Sequence, residues 1–357
     1  MQLVYASIST ITILVGMALL GELALAQPST DKPIGILLAA GDISTCGKCD
    51  QEPWHCYANK TAEIIRKVIE DSKNEQPPMP VHILALGDLA YGEGTAEQFR
   101  CFQERWRDLD DVLLPVPGNH EYKTENAAPY FAHFKNNLFV NQNGEQKGYF
   151  ALNFPRADGP WRLIGLNAHI RGEEAMHVQM EWLKEKLDIA KEGNKQDCVL
   201  AFWHAPTFSS GRHGHDYKTE PKTPLTKARP MQAALRILYD NGASVVLAGH
   251  DHNYEQFSPH DPEGKPAQDG IRSFVVGTGG SLLTEDIYNN MAPNSEGLYG
   301  RTKGMQGVLK IELFEKRYSW EFLQIDKKKL PREQIDKKKL PLKTTAGDCT
   351  KRRKPAE

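Results

Sequence analysis

The chain lacks a strong excess of charge of either sign. Its 357 residues carry 44 Lys and Arg side chains against 46 Asp and Glu, a formal net charge of -2. Nucleic-acid-binding proteins depend on basic surfaces that neutralise phosphates, so this balance argues against nucleic acid as an obligate partner. Hydrophobic residues make up 40% of the sequence and charged residues 25%, a composition that excludes collagen, a disordered chain and a multi-span membrane protein.

The sequence also has little that resembles a glycine-rich phosphate-binding loop. Its glycine run Gly277-Thr278-Gly279-Gly280 has neither the GKS nor the GxGxxG frame that such loops require. We therefore interpret this run as a turn that follows a strand.

Charge of opposite sign is separated along the chain. Residues 316–357 carry 14 basic and 6 acidic side chains, whereas residues 27–315 carry 30 basic and 39 acidic ones. The segment 324–331 recurs as 334–341, and two copies of so short a polar unit cannot form a solenoid. We interpret residues 326–357 as a basic, solvated tail or hairpin extension, with a polyanion-binding arm as the alternative.

Residues 2–21 contain no charged side chain, and Ala24-Leu25-Ala26 before Gln27 has the small-x-small pattern of signal-peptidase cleavage. This pattern predicts a signal peptide over residues 1–26 with cleavage after Ala26, and hence a secreted or periplasmic protein. The alternative is an uncleaved membrane anchor, because the apolar run is about the 20 residues that a span needs. After cleavage we expect no stable membrane span, and residues 27–325 to form the functional domain.

Cysteine is scarce, and all six cysteines lie beyond the predicted signal peptide. An even number in an exported chain favours disulfides. Cys46, Cys49 and Cys56 could also form a zinc knuckle, but a fourth ligand at matching spacing is absent. Cys198 lies in an apolar run and is interpreted as a buried free thiol.

Short apolar runs alternate with amphipathic stretches, which predicts a layered α/β domain. Helices are predicted over 58–71, 97–108, 176–190 and 230–241. Strands are predicted over 34–40, 81–86, 112–116, 148–154, 162–167, 199–203, 244–248 and 273–276, with a closing hairpin of 308–314 and 318–325.

Candidate metal ligands follow the predicted strands at their ends. Small residues precede ligands in Gly41-Asp42, Gly87-Asp88, Gly118-Asn119-His120 and Gly249-His250-Asp251-His252, and a further strand ends in Trp203-His204. Open α/β sheets build their sites at the carboxyl ends of strands, where the loops converge. Mixed oxygen and imidazole ligands suit iron, zinc or manganese, and so many ligands favour two ions that share a carboxylate.

These motifs resemble those of the calcineurin-like metallophosphoesterases, and within them the purple acid phosphatases. The chain contains Gly87-Asp88-Leu89-Ala90-Tyr91, Gly118-Asn119-His120-Glu121, a strand-end His204 and Gly249-His250-Asp251-His252 in the family order. The resemblance covers about residues 34–280, and it implies a four-layer αββα sandwich with two mixed sheets packed face to face. One departure is Ser44, where the family's first motif has Gly or His.

The resemblance implies a centre with Fe(III) and a divalent ion, which is Fe, Zn or Mn. By motif, Asp42, Asp88, Tyr91 and His252 would bind Fe(III), and Asp88, Asn119, His204 and His250 would bind the divalent ion. Asp88 would bridge the two. The phenol of Tyr91 points to the purple acid phosphatases in particular, because in that family a Tyr at this position binds ferric iron.

The resemblance also implies hydrolysis of small phosphate monoesters by a metal-activated hydroxide. His120 would contact the phosphate or the leaving group, and His213 would contact the phosphate, with neighbouring His215 as its alternative. The six histidines that match no motif are interpreted as surface or satisfied core residues; these are His55, His82, His133, His169, His177 and His260.

The sequence leaves two alternative functions open. The same two ions could hydrolyse diesters or nucleotides, since the sequence does not define a leaving-group pocket. A metal-binding surface protein without turnover is the other alternative, which the complete ligand set and His120 argue against.

Overall fold

The structure is a computed structural model that describes residues 32–48, 53–137, 147–192, 198–215, 230–283, 292–299, 305–325 and 345–349. The helices are α1 Tyr57–Lys73, α2 Ala96–Arg105, α3 Ala128–His133, α4 Glu173–Glu192 and α5 Pro230–Asp240. The strands are β1 Gly35–Ala40, β2 Ser44–Thr45, β3 Val81–Ala85, β4 Ala90–Tyr91, β5 Leu113–Pro115, β6 Phe150–Phe154, β7 Trp161–Gly165, β8 Cys198–Phe202, β9 Val245–Ala248, β10 Tyr254–Phe257, β11 Arg272–Val276, β12 Ser295–Tyr299, β13 Gly307–Leu313, β14 Arg317–Gln324 and β15 Thr345–Asp348.

Two mixed sheets form the centre of the fold. The first has the strand order β15-β14-β13-β1-β3-β5, in which β1, β3 and β5 run parallel and the other pairs are antiparallel. The second has the order β12-β10-β11-β9-β8-β7-β6, in which β11, β9, β8 and β7 run parallel. The carboxyl ends of these parallel strands carry the predicted ligands.

Strand β1 shows why its sequence is apolar throughout. Alternate side chains point to opposite faces of a strand. Leu37 and Ala39 pack into the core between the two sheets, whereas Leu38 and Ala40 pack against the outer helices. Both faces are buried, so the strand needs a continuous apolar run rather than an alternating one.

Helices cover the outer face of each sheet. On the first sheet, α1, α2 and α3 bury side chains such as Ile65, Phe102 and Tyr130. On the second sheet, α4 and α5 bury Leu183 and Leu235. The layers are therefore helix, sheet, sheet and helix, and the αββα prediction is confirmed.

Local signals explain where α2 begins. The Thr95 hydroxyl accepts a hydrogen bond from the Gln98 backbone N–H, and the Gln98 side-chain oxygen accepts one from the Thr95 backbone N–H. Such a reciprocal cap satisfies two N–H groups that the first helical turn leaves unpaired. The closing hairpin predicted at 308–325 is also confirmed by the pairing of β13 with β14.

The prediction of a free thiol at Cys198 is wrong. Cys198 forms a disulfide with Cys349, and Cys46 forms one with Cys101. Cys56 is also disulfide-bonded, whereas Cys49 lies outside the described residues. The predicted disulfides are therefore confirmed for the described cysteines, and the alternative of a zinc knuckle is excluded for Cys46 and Cys56, because their sulfur atoms are in covalent bonds.

Residues 345–349 differ from the solvated tail predicted for 326–357. Strand β15 pairs with β14 at the edge of the first sheet, and Cys349 is covalently tied to Cys198 at the start of β8. The duplicated segment and the predicted signal peptide lie outside the described residues. Within the part of the chain that is described, no helix is both long enough and apolar enough to cross a membrane.

Candidate metal centre

The predicted ligands meet at one edge of the two sheets. Asp42 and Asp88 follow β1 and β3 in the first sheet, and His204 and His250 follow β8 and β9 in the second. In each pair the strands run parallel, so their carboxyl ends open on the same side. Asn119 joins them from the segment after β5.

One half of the site contains Asp42, Tyr91 and His252. The Tyr91 hydroxyl donates to Asp42 Oδ1 at 2.5 Å and lies 2.7 Å from His252 Nε2. His252 Nε2 also lies 3.3 Å from Asp42 Oδ1. The two-stranded ribbon of β2 and β4 explains the proximity, because it places Thr45 opposite Tyr91 and so brings the phenol beside the Asp42 loop.

The other half contains Asp88, Asn119, His204 and His250. His204 Nε2 lies 3.2 Å from Asp88 Oδ2, 3.1 Å from Asn119 Oδ1 and 3.1 Å from His250 Nδ1. Ligand atoms of Asp88, His204 and His250 lie within 4.8 Å of one another, so these three could hold a metal ion. Asp88 also interacts with Tyr91, which places its carboxylate between the two halves.

Burial and charge shift the pKa of these groups strongly. Burial alone would raise the pKa of Asp88, but His204 and His120 lower it well below its usual range. Burial lowers the pKa of His204, yet the Asp88 carboxylate raises it to about 9. Burial and then Asp42 raise the pKa of Tyr91 well above its usual value, and burial with His204 lowers that of His250.

This donor set fits cations rather than an ordinary core. Asp42, Asp88 and His204 are fully buried or nearly so, and their polar atoms converge on one another instead of being separated by apolar groups. Buried carboxylates such as those of Asp42 and Asp88 are costly to ionise unless they are paired with a positive charge or coordinate a metal ion. Carboxylate, phenol, amide and imidazole donors in two adjacent groups suit two transition-metal ions.

Close approach of the ligand loops explains why glycines precede the ligands, since a Cβ atom at Gly249 would lie 2.8 Å from Asp42 Oδ2. Asp42, Asp88 and His250 have positive φ values of 59°, 50° and 70°, in the left-handed region that disfavours side chains. At Gly118, a Cβ atom would lie 2.2 Å from Asp88 Oδ1. Strain and close approach of this kind gather at functional sites.

Glu121 holds the loops together, a role that the sequence pattern did not reveal. Its buried carboxylate accepts backbone N–H bonds from Asp88, Leu89, Ala90 and Gly118 at 2.7–3.2 Å. Burial and the Asp88 charge raise the pKa of Glu121 to about 7, whereas the N–H donors lower it. Its position directly after the GNH triplet was the only signal in the sequence.

His120 lies beside the centre rather than within either group. Its backbone N–H donates to Asp88 Oδ1 at 2.8 Å, and its ring Nε2 lies 3.8 Å from Asp88 Oδ2. Ring Nδ1 lies 2.6 Å from the Gly92 carbonyl oxygen, which holds the imidazole in place. The side chain is about 20% exposed, so a molecule in the cleft can reach it.

His213 is an exposed residue whose ring centroid lies 3.9 Å from that of His250. Its backbone N–H donates to the buried carboxylate of Asp251, which is a second positioning residue that sequence reasoning missed. The side chain of His215 lies outside the described part of the chain.

The interpretation of His169 as a surface or satisfied core residue is wrong. Its ring centroid lies 5.4 Å from that of His204, and its buried Nε2 has no hydrogen-bond partner among the described residues. Burial and His204 lower the pKa of His169 to about 3. Ser44, at the departure from the family motif, is buried within β2 and likewise has an unpaired Oγ in the described structure.

Comparisons with known proteins identify the family, related sequences and a similar fold. The family model for calcineurin-like phosphoesterases matches residues 36–254. The chain is 27% identical over 252 residues to purple acid phosphatase 15 of Arabidopsis thaliana, covering 62% of this chain and 42% of that protein. It is 29% identical over 141 residues to a probable glycerophosphodiester phosphodiesterase of Arcobacter nitrofigilis, covering 39% and 46% of the two chains.

A solved purple acid phosphatase from yellow lupin (Lupinus luteus) seeds has a similar fold, with a TM-score of 0.60 at 17% identity over 84% of this chain and 52% of that one. The chain spans less than half the length of both curated relatives. Because the family model covers more than half of the sequence, including every motif that supplies the site, the chain belongs to the calcineurin-like phosphoesterase family.

Proposed function

We propose that this protein is an exported phosphatase of the purple acid type, which hydrolyses phosphate monoesters at a centre of two metal ions. The observation that carries the proposal is the Tyr91 hydroxyl, which lies within 2.7 Å of both Asp42 and His252. A phenol that shares a buried carboxylate and imidazole is suited to Fe(III), whereas the neighbouring His-rich group suits a softer divalent ion such as Zn, Fe or Mn.

Each proposed ligand has a supporting contact. Asp42, Tyr91 and His252 would hold Fe(III), and Asn119, His204 and His250 would hold the divalent ion, with Asp88 between them. When bound, such ions polarise the phosphoryl oxygens and activate water. His204 Nδ1 lies 2.8 Å from the Leu86 carbonyl oxygen, a contact that fixes the ring so that Nε2 faces the site.

His120 would act on the substrate. Its Nδ1 is anchored at the Gly92 carbonyl oxygen, so Nε2 is the ring nitrogen that can donate to the leaving-group oxygen. His213 would contact the phosphate from the His250 side, because its exposed ring lies against that imidazole. The two histidines lie on segments that follow different strands, His120 after β5 and His213 after β8.

Export is supported by the disulfides. Two described disulfides and one further disulfide-bonded cysteine, Cys56, suit an oxidising compartment. We propose cleavage after Ala26 and a phosphatase domain of residues 27–325, to which β15 adds an edge strand of the first sheet. N-terminal sequencing of protein recovered from the exported fraction should begin at Gln27, and recovery of the intact N-terminus in membranes would favour an anchor instead.

A metal and substrate panel tests the activity. We expect about two metal ions per chain, and a kcat/KM for aryl phosphate monoesters at least roughly tenfold above that for the matching diesters. His204→Ala should lose the divalent ion and most activity, whereas His177→Ala, on an exposed part of α4, should change neither.

A diesterase is the second candidate, because one curated relative is a probable glycerophosphodiester phosphodiesterase. A kcat/KM that favours diesters would replace the proposed monoesterase with that function. Two ions per chain without hydrolysis of either substrate class would instead identify a metal-binding protein.

A further inference from the structure

His169 is a third imidazole at the divalent side of the site. It follows β7, the neighbour of β8 in the second sheet, and β8 and β9 lead to His204 and His250. The ring centroid of His169 lies 5.4 Å from that of His204 and 6.3 Å from that of His250. The three histidines that follow the adjacent parallel strands β7, β8 and β9 therefore lie together at the divalent side of the site.

The loop that carries His169 is tied down by hydrogen bonds. Its backbone N–H donates to Asn167 Oδ1 at 3.1 Å, and the Asn167 amide nitrogen donates to the Tyr122 hydroxyl at 2.8 Å. Asn167 is fully buried, and its backbone N–H donates to Gln179 Oε1 at 2.7 Å. Tyr122 lies two residues after His120, so the same bonds fix His169 relative to that residue.

The Nε2 atom of His169 is buried and has no hydrogen-bond partner within the described structure. His260 shows what a satisfied core histidine looks like here, because its Nδ1 lies 2.8 Å from the Asp261 carbonyl oxygen and its Nε2 lies 2.8 Å from Ser273 Oγ. A buried polar atom that makes no hydrogen bond destabilises the folded chain, because it loses its bonds to water without replacing them. A partner from outside the chain would remove that cost at His169.

We propose that His169 binds the substrate phosphate, by donating a hydrogen bond from Nε2 to a phosphoryl oxygen on the divalent side of the centre. The proposal rests on the proposed phosphatase function. A direct metal bond is disfavoured, because the group of converging ligand atoms consists of Asp88, His204 and His250 and does not include His169. A phosphate bound beside those three ligands would have an oxygen at hydrogen-bond distance from His169 Nε2.

The phosphate would then meet donors on two sides. His120 lies beside Asp88 at the edge of the first sheet, and His169 lies beside His204 at the edge of the second. The hydrogen bonds of Asn167 to His169 and Tyr122 fix the spacing between His169 and His120 before the substrate binds. Such preorganisation lets a hydrogen bond contribute to binding without a further ordering cost.

The test is inorganic phosphate binding to the metal-loaded protein, measured by calorimetry together with metal content. His169→Ala should keep the metal content of the wild type and raise the phosphate Kd about tenfold, the loss of one hydrogen bond to a charged oxyanion. His169→Gln places an amide N–H near the position of Nε2 and should bring the Kd back to within about threefold of the wild type. His177→Ala removes an exposed histidine of α4 and is the matched control, so it should leave the Kd unchanged.

Three results would overturn the proposal. These are an unchanged phosphate Kd in His169→Ala, loss of the divalent ion in His169→Ala to the extent seen in His204→Ala, and a metal-loaded wild type that does not bind phosphate. If His169→Ala does not fold, His169→Phe keeps the ring volume without the donor and serves the same comparison. Phosphate binding without hydrolysis of any ester would reject the proposed function alone, since the His169 prediction concerns binding.

Discussion

The carboxylate of Glu121 accepts a hydrogen bond from the backbone N–H of Asp88, with an oxygen–nitrogen distance of 2.9 Å. The same carboxylate accepts the N–H of Gly118 at 2.7 Å. One buried side chain therefore joins the loop after β3, which carries the proposed bridging ligand, to the loop that carries Asn119 and His120. The two loops keep their spacing because they share this acceptor.

Glu121→Gln should weaken both the fold and the metal centre. An amide replaces one acceptor oxygen with an NH2 group that faces backbone donors, so we expect the free energy of unfolding to fall by about 2–4 kcal/mol. Metal affinity should fall by about 10–100-fold, as for other residues that orient ligands. Urea unfolding and metal titration measure the two effects, with exposed Glu125→Gln as the control. Equal metal affinity in both variants would contradict the positioning role.

Tyr91→Phe tests the proposed Fe(III) ligand. The oxidised wild type should absorb visible light through charge transfer from the phenolate to Fe(III), and the variant should lose that band. Asp42 and His252 remain in the variant. When both proteins are assayed at limiting iron, we therefore expect the iron content of the variant to fall less than its activity. Absorption spectra and iron analysis check this. A variant that keeps iron and an unchanged visible band would remove Tyr91 from the ligand set.

His120→Ala should separate proton transfer from metal binding. The residue lies beside Asp88 and outside the converging ligand group, so we expect both ions to be retained while kcat falls by roughly 10²–10⁴-fold. Aryl phosphates with better leaving groups should show a smaller defect if Nε2 protonates the leaving oxygen. His204→Ala should instead lose the divalent ion and recover partly in excess metal. A uniform defect across leaving groups would assign His120 to phosphate binding.

His260→Gln should reduce the loss of stability in acid. Burial lowers the pKa of His260 below its usual 6.5, so the unfolded chain binds the proton more tightly than the folded one. The stability that the neutral ring contributes is therefore present above about pH 6.5 and is lost as pH falls below it. Gln can keep a bond to Ser273 without titrating. Melting temperatures at about pH 7 and pH 5 should differ less in this variant than in the wild type, and an equal difference would contradict the assignment.

Replacing both Cys198 and Cys349 by Ala should lower stability without changing catalysis. The disulfide closes a loop with a sequence separation of 151, and native bonds of this kind contribute about 2–5 kcal/mol. Cys198 begins β8 and His204 follows its other end, so the bond lies away from the site. Urea unfolding and kcat/KM measure the two properties. A change in kcat/KM of more than about threefold would show that the bond also supports the centre.

Much of this architecture could be predicted from sequence alone. Strand β1 is buried on both faces, so its unbroken apolar run is a strong local signal, and α2 begins at the capping pair Thr95 and Gln98. Short elements carried weaker signals. Strands β10 and β12, as well as the ribbon of β2 and β4, depend on pairing with distant segments, which a local pattern does not show.

The sequence by itself determined which residues are the candidates for the chemistry, because carboxylate, phenol and imidazole types at strand ends are readable in chain order. Only the tertiary structure decided what surrounds them. Glu121 acquired its role through N–H groups up to 33 positions away, and Cys198 found its partner 151 positions away. His169 resembled any core histidine until parallel β7 and β8 placed it beside His204. Side-chain identity is local, whereas the hydrogen-bond partners of a buried atom depend on which distant segments the fold brings together.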